Sequence, residues 1–540
     1  MPQVGLVKQL ERLNSIGVAL SAERDNNRLL EMILLGAKEI TNADGGTLYT
    51  ITDDSCLKFE IMRTDTLEIA MGGTTGINIP FSPLPLYLAD GSPNLNMVAA
   101  HAVLKEKSVN IEDAYIAEGF DFSGTRKFDQ STGYRSKSFL AIPLKNHENE
   151  IIGVLQLINA MDSHTQEIVP FSQSSQRLVE SLASQAAIAL TNHNLIEGLR
   201  KLFEAFIELI ADAIDEKSPY TGGHCQRVPE LTMMLAEATH NTQTGPLKDF
   251  RMTELEQYEL RIAAWLHDCG KVATPESVMD KPTKLATIFD RIEFIDQRFE
   301  LIKTQAERTL LQKQLNGLKA GQYLNSADLE VEYHRFVQQM DADRDFLRQA
   351  NFGSEFMTAE DQQRVKDIAS YEYINAEGKS VKFLSKNEVY NLNIARGTLT
   401  PEERTVINNH IVVTINMLES LPYPKSLRRV PEYAGGHHER MDGKGYPKGL
   451  TREQMSIPAR VMGIADIFEA LTSRDRPYKK AKTLTESLHI LGKMKLDNHI
   501  DPDLFDLFIR DKIYLRYAEK FLEPEQIDEV DESKIPGYVI

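Results

Sequence analysis

Hydrophobic and polar residues follow two different periods in the first third of the chain. Leucine and isoleucine recur at helical spacing over residues 1–40, so this pattern predicts helices there. Asp44-Gly45-Gly46 then predicts a turn. Alternation with period two predicts strands at 47–51, 57–61, 139–144 and 151–159. Strands bracketed by helices predict an α+β domain over residues 15–175.

A stripe of mainly apolar residues follows, with members spaced alternately four and three apart. They are Leu178, Leu182, Gln185, Ala189, Asn192, Ile196, Leu199, Phe203, Phe206, Ile210 and Ala213. The spacing predicts a long coiled-coil linker helix over residues 176–215, in which polar Gln185 and Asn192 set the register. A helix packed against its own domain is the alternative. We favour a parallel homodimer, because only Gly198 interrupts the stripe across a predicted domain boundary.

A stretch of about a hundred residues, 287–394, contains no chemical motif. Charged amphipathic patterns at 289–318 and 329–347 predict a pair of helices in it. His334 is expected at the surface. Two roles remain open for this insertion, which are to cap a neighbouring site and to make dimer contacts.

Composition restricts the class of protein. The chain has 540 residues, 42% of them hydrophobic and 26% charged, so more than one globular domain is expected. No apolar run is long enough for a transmembrane helix, and the first residues lack the layout of a signal peptide. Three scattered cysteines and a net charge of −18 favour a cytoplasmic protein that binds neither nucleic acid nor membranes.

Two short segments contain the residues expected to carry chemistry. In the segment 435–448, adjacent His437 and His438 precede Glu439 and a glycine-rich turn. Paired imidazoles beside a carboxylate are typical of first-row metal sites. In the other segment, His267 and Asp268 are neighbours. That pair suits one metal held on two sides, or a carboxylate that bridges two metals.

These segments resemble the HD-GYP family, through His267-Asp268-Cys269-Gly270-Lys271 and through HHERMDGKGYP at 437–447. The resemblance implies an all-α HD-superfamily catalytic domain over residues 216–520, with the helical insertion inside it and a tail at 521–540. It also implies metal-dependent hydrolysis of cyclic di-GMP, a bacterial second messenger, to pGpG. Further hydrolysis to GMP is left open.

The resemblance implies a metal-ligand set that includes two acids and five of the thirteen histidines. They are His224, His267, Asp268, His410, His437, His438 and Asp466. Seven ligands are too many for one ion that must also keep a water, so two ions bridged by Asp268 are expected. Iron and manganese are preferred, with zinc and nickel as alternatives. Tyr220 stands where some relatives have a further acidic ligand, so three ions are not expected.

Catalytic and substrate-binding roles are also implied by the resemblance. Asp268 and Lys271 are the expected catalytic residues, although Lys271 could instead form a buried salt bridge with Glu469. Arg440 either binds phosphate or holds its own turn by a salt bridge. The predicted substrate contacts are Lys271, Arg440, Lys444, Tyr446, Arg476 and Lys479. The turn formed by residues 442–447, called the GYP loop below, is also a candidate surface for other signalling proteins.

The first domain resembles GAF domains over residues 15–195. ADGGTLY at 43–49, KFDQSTGYRSKSFLAIPL at 127–144 and GVLQLINA at 153–160 carry the resemblance. It implies a sensor for a cyclic nucleotide or another small ligand, and a dimer spacer is the alternative.

Three functions remain for the whole chain. The first is a phosphodiesterase for cyclic di-GMP, regulated by the GAF domain. The second is a phosphodiesterase for another cyclic dinucleotide or a cyclic mononucleotide. The third is a receptor that binds such a ligand without turnover, which an intact ligand set disfavours.

Overall fold

The computed structural model describes residues 2–217, 223–321, 326–353, 356–474 and 481–539. The chain divides into two compact units, Met1–Phe203 and Glu204–Ile540. Within the described residues, no helix is sufficiently long and apolar to span a membrane.

The first unit is a mixed sheet-and-helix domain, as the alternating pattern predicts. The described strands form one antiparallel sheet in the order β3-β2-β1-β7-β6-β5, with β4 paired to β2 and β8 to β7. Its helices are α1 (Pro2–Ala22), α2 (Asn26–Thr41), α3 (Val98–Leu104), α4 (Ser123–Thr132) and the start of α5 (Gln173–Lys217). Its strands are β1 (Ala43–Ile51), β2 (Cys56–Thr64), β3 (Ile69–Gly72), β4 (Leu84–Pro85), β5 (Val109–Ile111), β6 (Phe139–Lys145), β7 (Ile151–Met161) and β8 (Ile168–Val169).

The predicted turn at Asp44-Gly45-Gly46 is wrong, because these residues belong to β1. A Cβ atom on Gly46 would lie 2.7 Å from Cδ1 of Leu34 in α2. Glycine is therefore needed here for close packing of a strand under a helix, not for a reversal of the chain. The Asp44 carboxylate accepts a hydrogen bond of 3.0 Å from the Thr66 backbone N–H.

The long helix α5 is continuous over the whole predicted linker. Its first part packs in the core of the first unit, where Leu178 and Leu182 are buried with residues of α1 and α2. The Gln185 side chain lies against Gly17 of α1. The predicted seam is therefore wrong for these positions, since they face their own domain. Farther along, Ile196 and Leu199 are 65% and 66% exposed.

The second unit is helical apart from one two-stranded sheet in its described residues. After the end of α5, its helices are α6 (His224–Asn241), α7 (Glu254–Leu266), α8 (Glu276–Met279), α9 (Ile292–Lys319), α10 (Ser326–Asn351), α11 (Ala359–Ala369), α12 (Lys386–Leu392), α13 (Pro401–Asn408), α14 (His410–Glu419), α15 (Val430–Gly435), α16 (Ile457–Thr472), α17 (Leu484–Leu496), α18 (Pro502–Arg510) and α19 (Ile513–Phe521). The sheet consists of β9 (Glu372–Ile374) and β10 (Ser380–Lys382).

The insertion contains the predicted pair of helices, α9 and α10. It also contains α11, α12 and the β9-β10 hairpin, which the helical pattern does not predict. Phe299, Leu347 and Phe383 are fully buried in a hydrophobic core of its own. His334 is exposed, as expected. The insertion is thus a subdomain with its own hydrophobic core and not an extended loop.

Candidate metal centre

Ends of helices bring the predicted ligands together. His224 begins α6, and His267 and Asp268 directly follow α7. His410 begins α14, and Asn409 separates this helix from α13. The remaining ligands are His437 and His438 after α15, and Asp466 within α16.

The ligand atoms fall into two groups, each with members within 4.8 Å of one another. His224, His267, Asp268 and Asp466 form the first group. In it, Asp268 Oδ2 lies 3.3 Å from His224 Nε2 and 3.2 Å from His267 Nε2. His410, His437 and His438 form the second group.

Asp268 faces both groups with one carboxylate. While Oδ2 lies against the first group, Oδ1 lies 3.3 Å from Nε2 of His410 in the second. The side chain is 3% exposed, so neither oxygen is freely solvated. A carboxylate in this position has the arrangement required to bridge two ions.

Several ligand atoms are buried without a hydrogen-bond partner. Within the described part of the chain they include Nε2 of His224, His267 and His437, together with Oδ1 of Asp268. A buried polar atom without a partner costs about 1–3 kcal/mol, and four converge here. Divalent first-row ions accept mixed imidazole and carboxylate donors, so this set fits two such ions.

Backbone carbonyls orient three of the histidines in the same way. Nδ1–H of His267 donates to the Ala264 carbonyl at 2.8 Å, and Nδ1–H of His437 donates to the Ala434 carbonyl at 2.6 Å. His410 donates likewise to a carbonyl three residues earlier. In the neutral imidazole, this hydrogen bond fixes the tautomer and leaves Nε2 with a lone pair for a metal.

His224 is oriented by a side chain of another helix. Its Nδ1–H donates to the carboxylate of Glu469 in α16. Arg227 Nε–H donates to the other oxygen of Glu469 at 2.6 Å. The alternative that pairs Lys271 with Glu469 does not match the structure, in which Lys271 Nζ lies 2.6 Å from Asp268 Oδ2. Glu469 is one helical turn after Asp466, and that spacing is the signal for a shared face.

Comparison with known families agrees with this architecture. A GAF domain model matches residues 25–190, and an HD domain model matches residues 386–504. The chain contains a GAF domain followed by an HD domain. Four of the ligands lie within the matched HD range, whereas His224, His267 and Asp268 lie before the insertion. The order of domains expected from the sequence is confirmed.

Curated relatives match parts of the chain. The chain is 42% identical over 81 residues to 3'3'-cGAMP-specific phosphodiesterase 1 of Vibrio cholerae, covering 15% of this chain and 19% of that protein. Cyclic di-GMP phosphodiesterase PA4108 of Pseudomonas aeruginosa is 36% identical over 114 residues, covering 21% of this chain and 26% of that protein. The chain thus spans less than a third of the length of either relative.

Two further comparisons involve another curated relative and a solved structure. Dual 3',5'-cyclic-AMP and -GMP phosphodiesterase 11A of Takifugu rubripes is 31% identical over 157 residues, covering 28% of this chain and 15% of that protein. The solved GAF domain of an Acinetobacter phosphoenolpyruvate-protein phosphotransferase is 14% identical, with a TM-score of 0.26, over 35% of this chain and 98% of that one. The GAF assignment rests on the family model and not on this weak likeness.

Neighbouring side chains keep two carboxylic acids of the metal centre, Asp268 and Asp466, ionised. Burial would raise the pKa of Asp268, but Lys271 and His267 beside it hold that pKa well below its usual range. Burial likewise opposes ionisation of Asp466, and the imidazoles of His224 and His267 beside it hold its pKa well below its usual range. Both carboxylates are therefore charged at neutral pH and ready to bind cations.

Two histidines of the HD domain are neutral at the same pH. Burial, with adjacent His438 and His267, holds the pKa of His437 well below its usual range. Burial, partly offset by Asp466, lowers the pKa of His438 to about 4.

Burial also opposes charge on His267, but Asp268 and Asp466 outweigh it and raise its pKa to about 9. An ion that binds His267 must therefore displace a proton.

The GYP loop of the HD domain lies against His438, one of the predicted metal ligands. The Tyr446 ring stacks on His438, with 4.8 Å between ring centroids, and Tyr446 N–H donates to the His438 carbonyl at 3.2 Å. The Glu439 carboxylate accepts hydrogen bonds from the backbone N–H groups of Lys448 and Leu450. A Cβ atom on Gly445 would lie 2.4 Å from the backbone nitrogen of Arg440, so only glycine permits this close approach.

The other predicted substrate contacts are not all at the centre. Arg440 forms a salt bridge with Asp442 and donates to the Asp497 carbonyl at 2.9 Å, which matches the structural alternative for this residue. Lys444 is 77% exposed and pairs with Asp442. Arg476, Lys479 and Tyr220 lie outside the described residues.

A cavity of about 260 Å³ borders the second ligand group. Its lining includes His410, Asn409, Val413, Thr274 and Thr405. Its lining combines apolar surface with an amide and hydroxyl groups, which suits part of a nucleotide.

Glu469→Gln is expected to weaken binding of Mn²⁺ about 10- to 100-fold, because it removes the charge that orients His224. Isothermal titration calorimetry on metal-free protein measures the effect. Glu519→Gln is the matched control, since Glu519 is also in the second unit and is exposed. Equal affinities for Glu469→Gln and the wild type would mean that Glu469 does not support the ligand.

Proposed function

We propose that the HD domain hydrolyses a phosphodiester bond of cyclic di-GMP, with two divalent ions held by the seven ligands. The observation that supports this most is the position of Asp268, whose two oxygens face the two ligand groups. Iron or manganese is proposed for both ions, and zinc or nickel is the alternative. When bound, such ions supply Lewis acidity, which activates water and stabilises negative charge on a phosphoryl group.

The chain's own residues provide the remaining functions. Asp268 and the histidines hold their donor atoms in place before substrate arrives, so little reorganisation is needed during reaction. Oxygen of a water molecule forms a bond to phosphorus, the bond from phosphorus to the 3' oxygen breaks, and that oxygen takes a proton. Lys271 Nζ lies 2.6 Å from Asp268 Oδ2, within reach of a phosphate oxygen bound beside that carboxylate. Linear pGpG is the product, and a second hydrolysis would give GMP.

Cyclic di-GMP is proposed because a Pseudomonas aeruginosa relative carries that activity in its name. The Vibrio cholerae relative named for 3'3'-cGAMP supports a second candidate, a phosphodiesterase for another cyclic dinucleotide. A cyclic mononucleotide follows from the Takifugu rubripes relative. A receptor without turnover is disfavoured because both ligand groups are complete.

Chromatography of reaction mixtures tests these alternatives. The purified chain, loaded anaerobically with Mn²⁺ or Fe²⁺, is incubated with cyclic di-GMP, 3'3'-cGAMP or cyclic GMP. The proposal expects cyclic di-GMP to be consumed fastest and pGpG to accumulate. Faster hydrolysis of 3'3'-cGAMP or cyclic GMP would support the second candidate. Tight binding without any product would support a receptor.

Regulation is proposed to involve a small ligand in the GAF domain, a cyclic nucleotide among the candidates. The GYP loop is proposed as a contact for other signalling proteins. The Tyr446 ring stacks on the metal-ligand candidate His438, yet Lys444 in the same loop is largely exposed. One loop can therefore contact both the site and a partner.

A homodimer is proposed, with a second copy of the chain covering the exposed part of α5. Leu199 and Phe206 are 66% and 55% exposed and share the four-three stripe. We expect the wild type to sediment as a dimer and Leu199→Glu/Phe206→Glu as a monomer, because charges in a seam oppose its burial. Lys201→Glu, on the same helix but outside the stripe, is the control. Dimers of unchanged stability in the double variant would mean that this part of α5 is not the interface.

A further inference from the structure

The last residue of α5 is tied to the turn that follows the HD motif. Lys217 Nζ donates to the carbonyl of Lys271 at 3.2 Å and to that of Thr274 at 2.8 Å. It also donates to the carbonyl of Val272. One ammonium group thus binds three carbonyls of a single short turn, Cys269–Ala273 and the residue after it.

The opposite side of this turn is fixed by α14. Gly270 N–H donates to Thr414 Oγ1 at 2.9 Å. A Cβ atom on Gly270 would lie 2.0 Å from the His410 carbonyl oxygen, so the turn touches α14 without space between them. Lys217 and α14 therefore hold the turn from two sides. Removing one of them leaves the turn fixed on one side only.

A second contact joins the same end of α5 to the other metal-ligand segment. Asp215 Oδ2 accepts hydrogen bonds from the backbone N–H groups of Gly223 at 3.0 Å and Cys225 at 3.2 Å. These residues flank His224. The last turn of α5 thus contacts the segments of both His224 and Asp268, which belong to the same ligand group.

The position of Lys217 suits a lasting contact. A cation in the last turn of a helix interacts favourably with the helix dipole. Hydrogen bonds from a charged donor are also stronger than those between neutral groups. Because the Lys271 carbonyl is one of its partners, Lys217 limits movement of the backbone that places the Lys271 ammonium beside Asp268.

We propose that Lys217 is a positioning residue of the HD domain, which holds the Cys269–Ala273 turn so that Asp268 and Lys271 keep their places in the site. Its effect on the turn is independent of the reaction, whereas its effect on rate rests on the proposed function. Lys217 is also the end of the helix that leaves the GAF domain core. The hydrogen bonds of Lys217, called the tie below, join α5 to the Cys269–Ala273 turn.

Hydrogen exchange on the metal-free full chain tests the tie without any reaction. In Lys217→Met, we expect the backbone N–H groups of Lys271 and Thr274 to exchange about tenfold faster, because the turn opens more often. Exchange in α17 is expected to stay unchanged. Lys217→Arg, which retains charge and donors, should restore at least part of the protection. Lys201→Met is the matched control, since Lys201 is an exposed lysine of the same helix.

Kinetics on the metal-loaded enzyme provides the second measurement. We expect kcat of Lys217→Met to fall about tenfold with KM within about twofold, since a small displacement of catalytic groups slows the chemical step. Should Lys217→Met not fold, Lys217→Gln is compared with Lys217→Arg in the same two assays. Unchanged exchange in the turn, or equal acceleration in the turn and α17, would overturn the proposal. An inactive wild type with faster exchange only in the Lys217→Met turn would overturn the proposed function but support the tie.

Discussion

Asp268→Asn is expected to lower phosphodiesterase activity by about 10³-fold and to reduce the bound metal below two ions per chain. Asparagine keeps the size of the side chain but presents one neutral oxygen and one NH₂ group. The oxygen can face one ligand group, and the NH₂ group then faces the other, where a cation is expected. Asp268 has one carboxylate oxygen beside each ligand group, and asparagine cannot present a charged oxygen to both.

Metal content after dialysis, measured by inductively coupled plasma mass spectrometry, is the first readout for this variant, and the initial rate is the second. Asp249→Asn is the matched control, because Asp249 is an exposed acid of the same unit. Two ions per chain together with a normal rate in Asp268→Asn would exclude a bridging role.

Lys271→Met is expected to lower kcat about 10²-fold while both ions stay bound. Burial would lower the pKa of Lys271, but Asp268 outweighs it and raises that pKa above its usual value, so the amine is a cation at neutral pH. A protonated amine cannot ligate a metal, but it can stabilise negative charge on a phosphate oxygen. Its loss should therefore affect the rate and not the metal content.

The comparison for Lys271→Met is Lys248→Met, which removes an exposed lysine of the same unit. Rate and metal content are measured on the same preparations. If Lys271→Met lost its metal along with its activity, Lys271 would be a structural partner of Asp268. If the rate were unchanged, Lys271 would have no part in the reaction.

Local patterns indicated four of the candidate ligands, and the family resemblance supplied His224, His410 and Asp466. His267-Asp268 and His437-His438 are adjacent in sequence, and each pair is placed by the end of one helix. The periodicity also predicts α1, α2 and α5, because each helix has an apolar face of its own. The local pattern does not determine which part of the protein packs against that apolar face. The early positions of the α5 stripe, such as Leu178, therefore look like a dimer seam but pack within the first unit.

The errors and omissions have tertiary causes. Gly46 is a glycine because Leu34 packs closely against it, and no local turn rule includes such a contact. Glu469 supports His224 across 245 positions of sequence, and Lys217 binds carbonyls of the HD turn across 54 to 57 positions. Such pairs depend on the packing of helices that are far apart in the chain. Only the structure can show them without an alignment of related chains.

Hydrolysis of cyclic di-GMP in water enriched in oxygen-18 tests the two-metal hydrolase most directly. Mass spectrometry of the products of the manganese-loaded enzyme shows where the oxygen of water goes. We predict one oxygen-18 atom in the new 5' phosphate of pGpG for the wild type, and no labelled product above background for Asp268→Asn. Absence of pGpG, or pGpG with an unlabelled phosphate, would contradict attack of water on phosphorus at this centre.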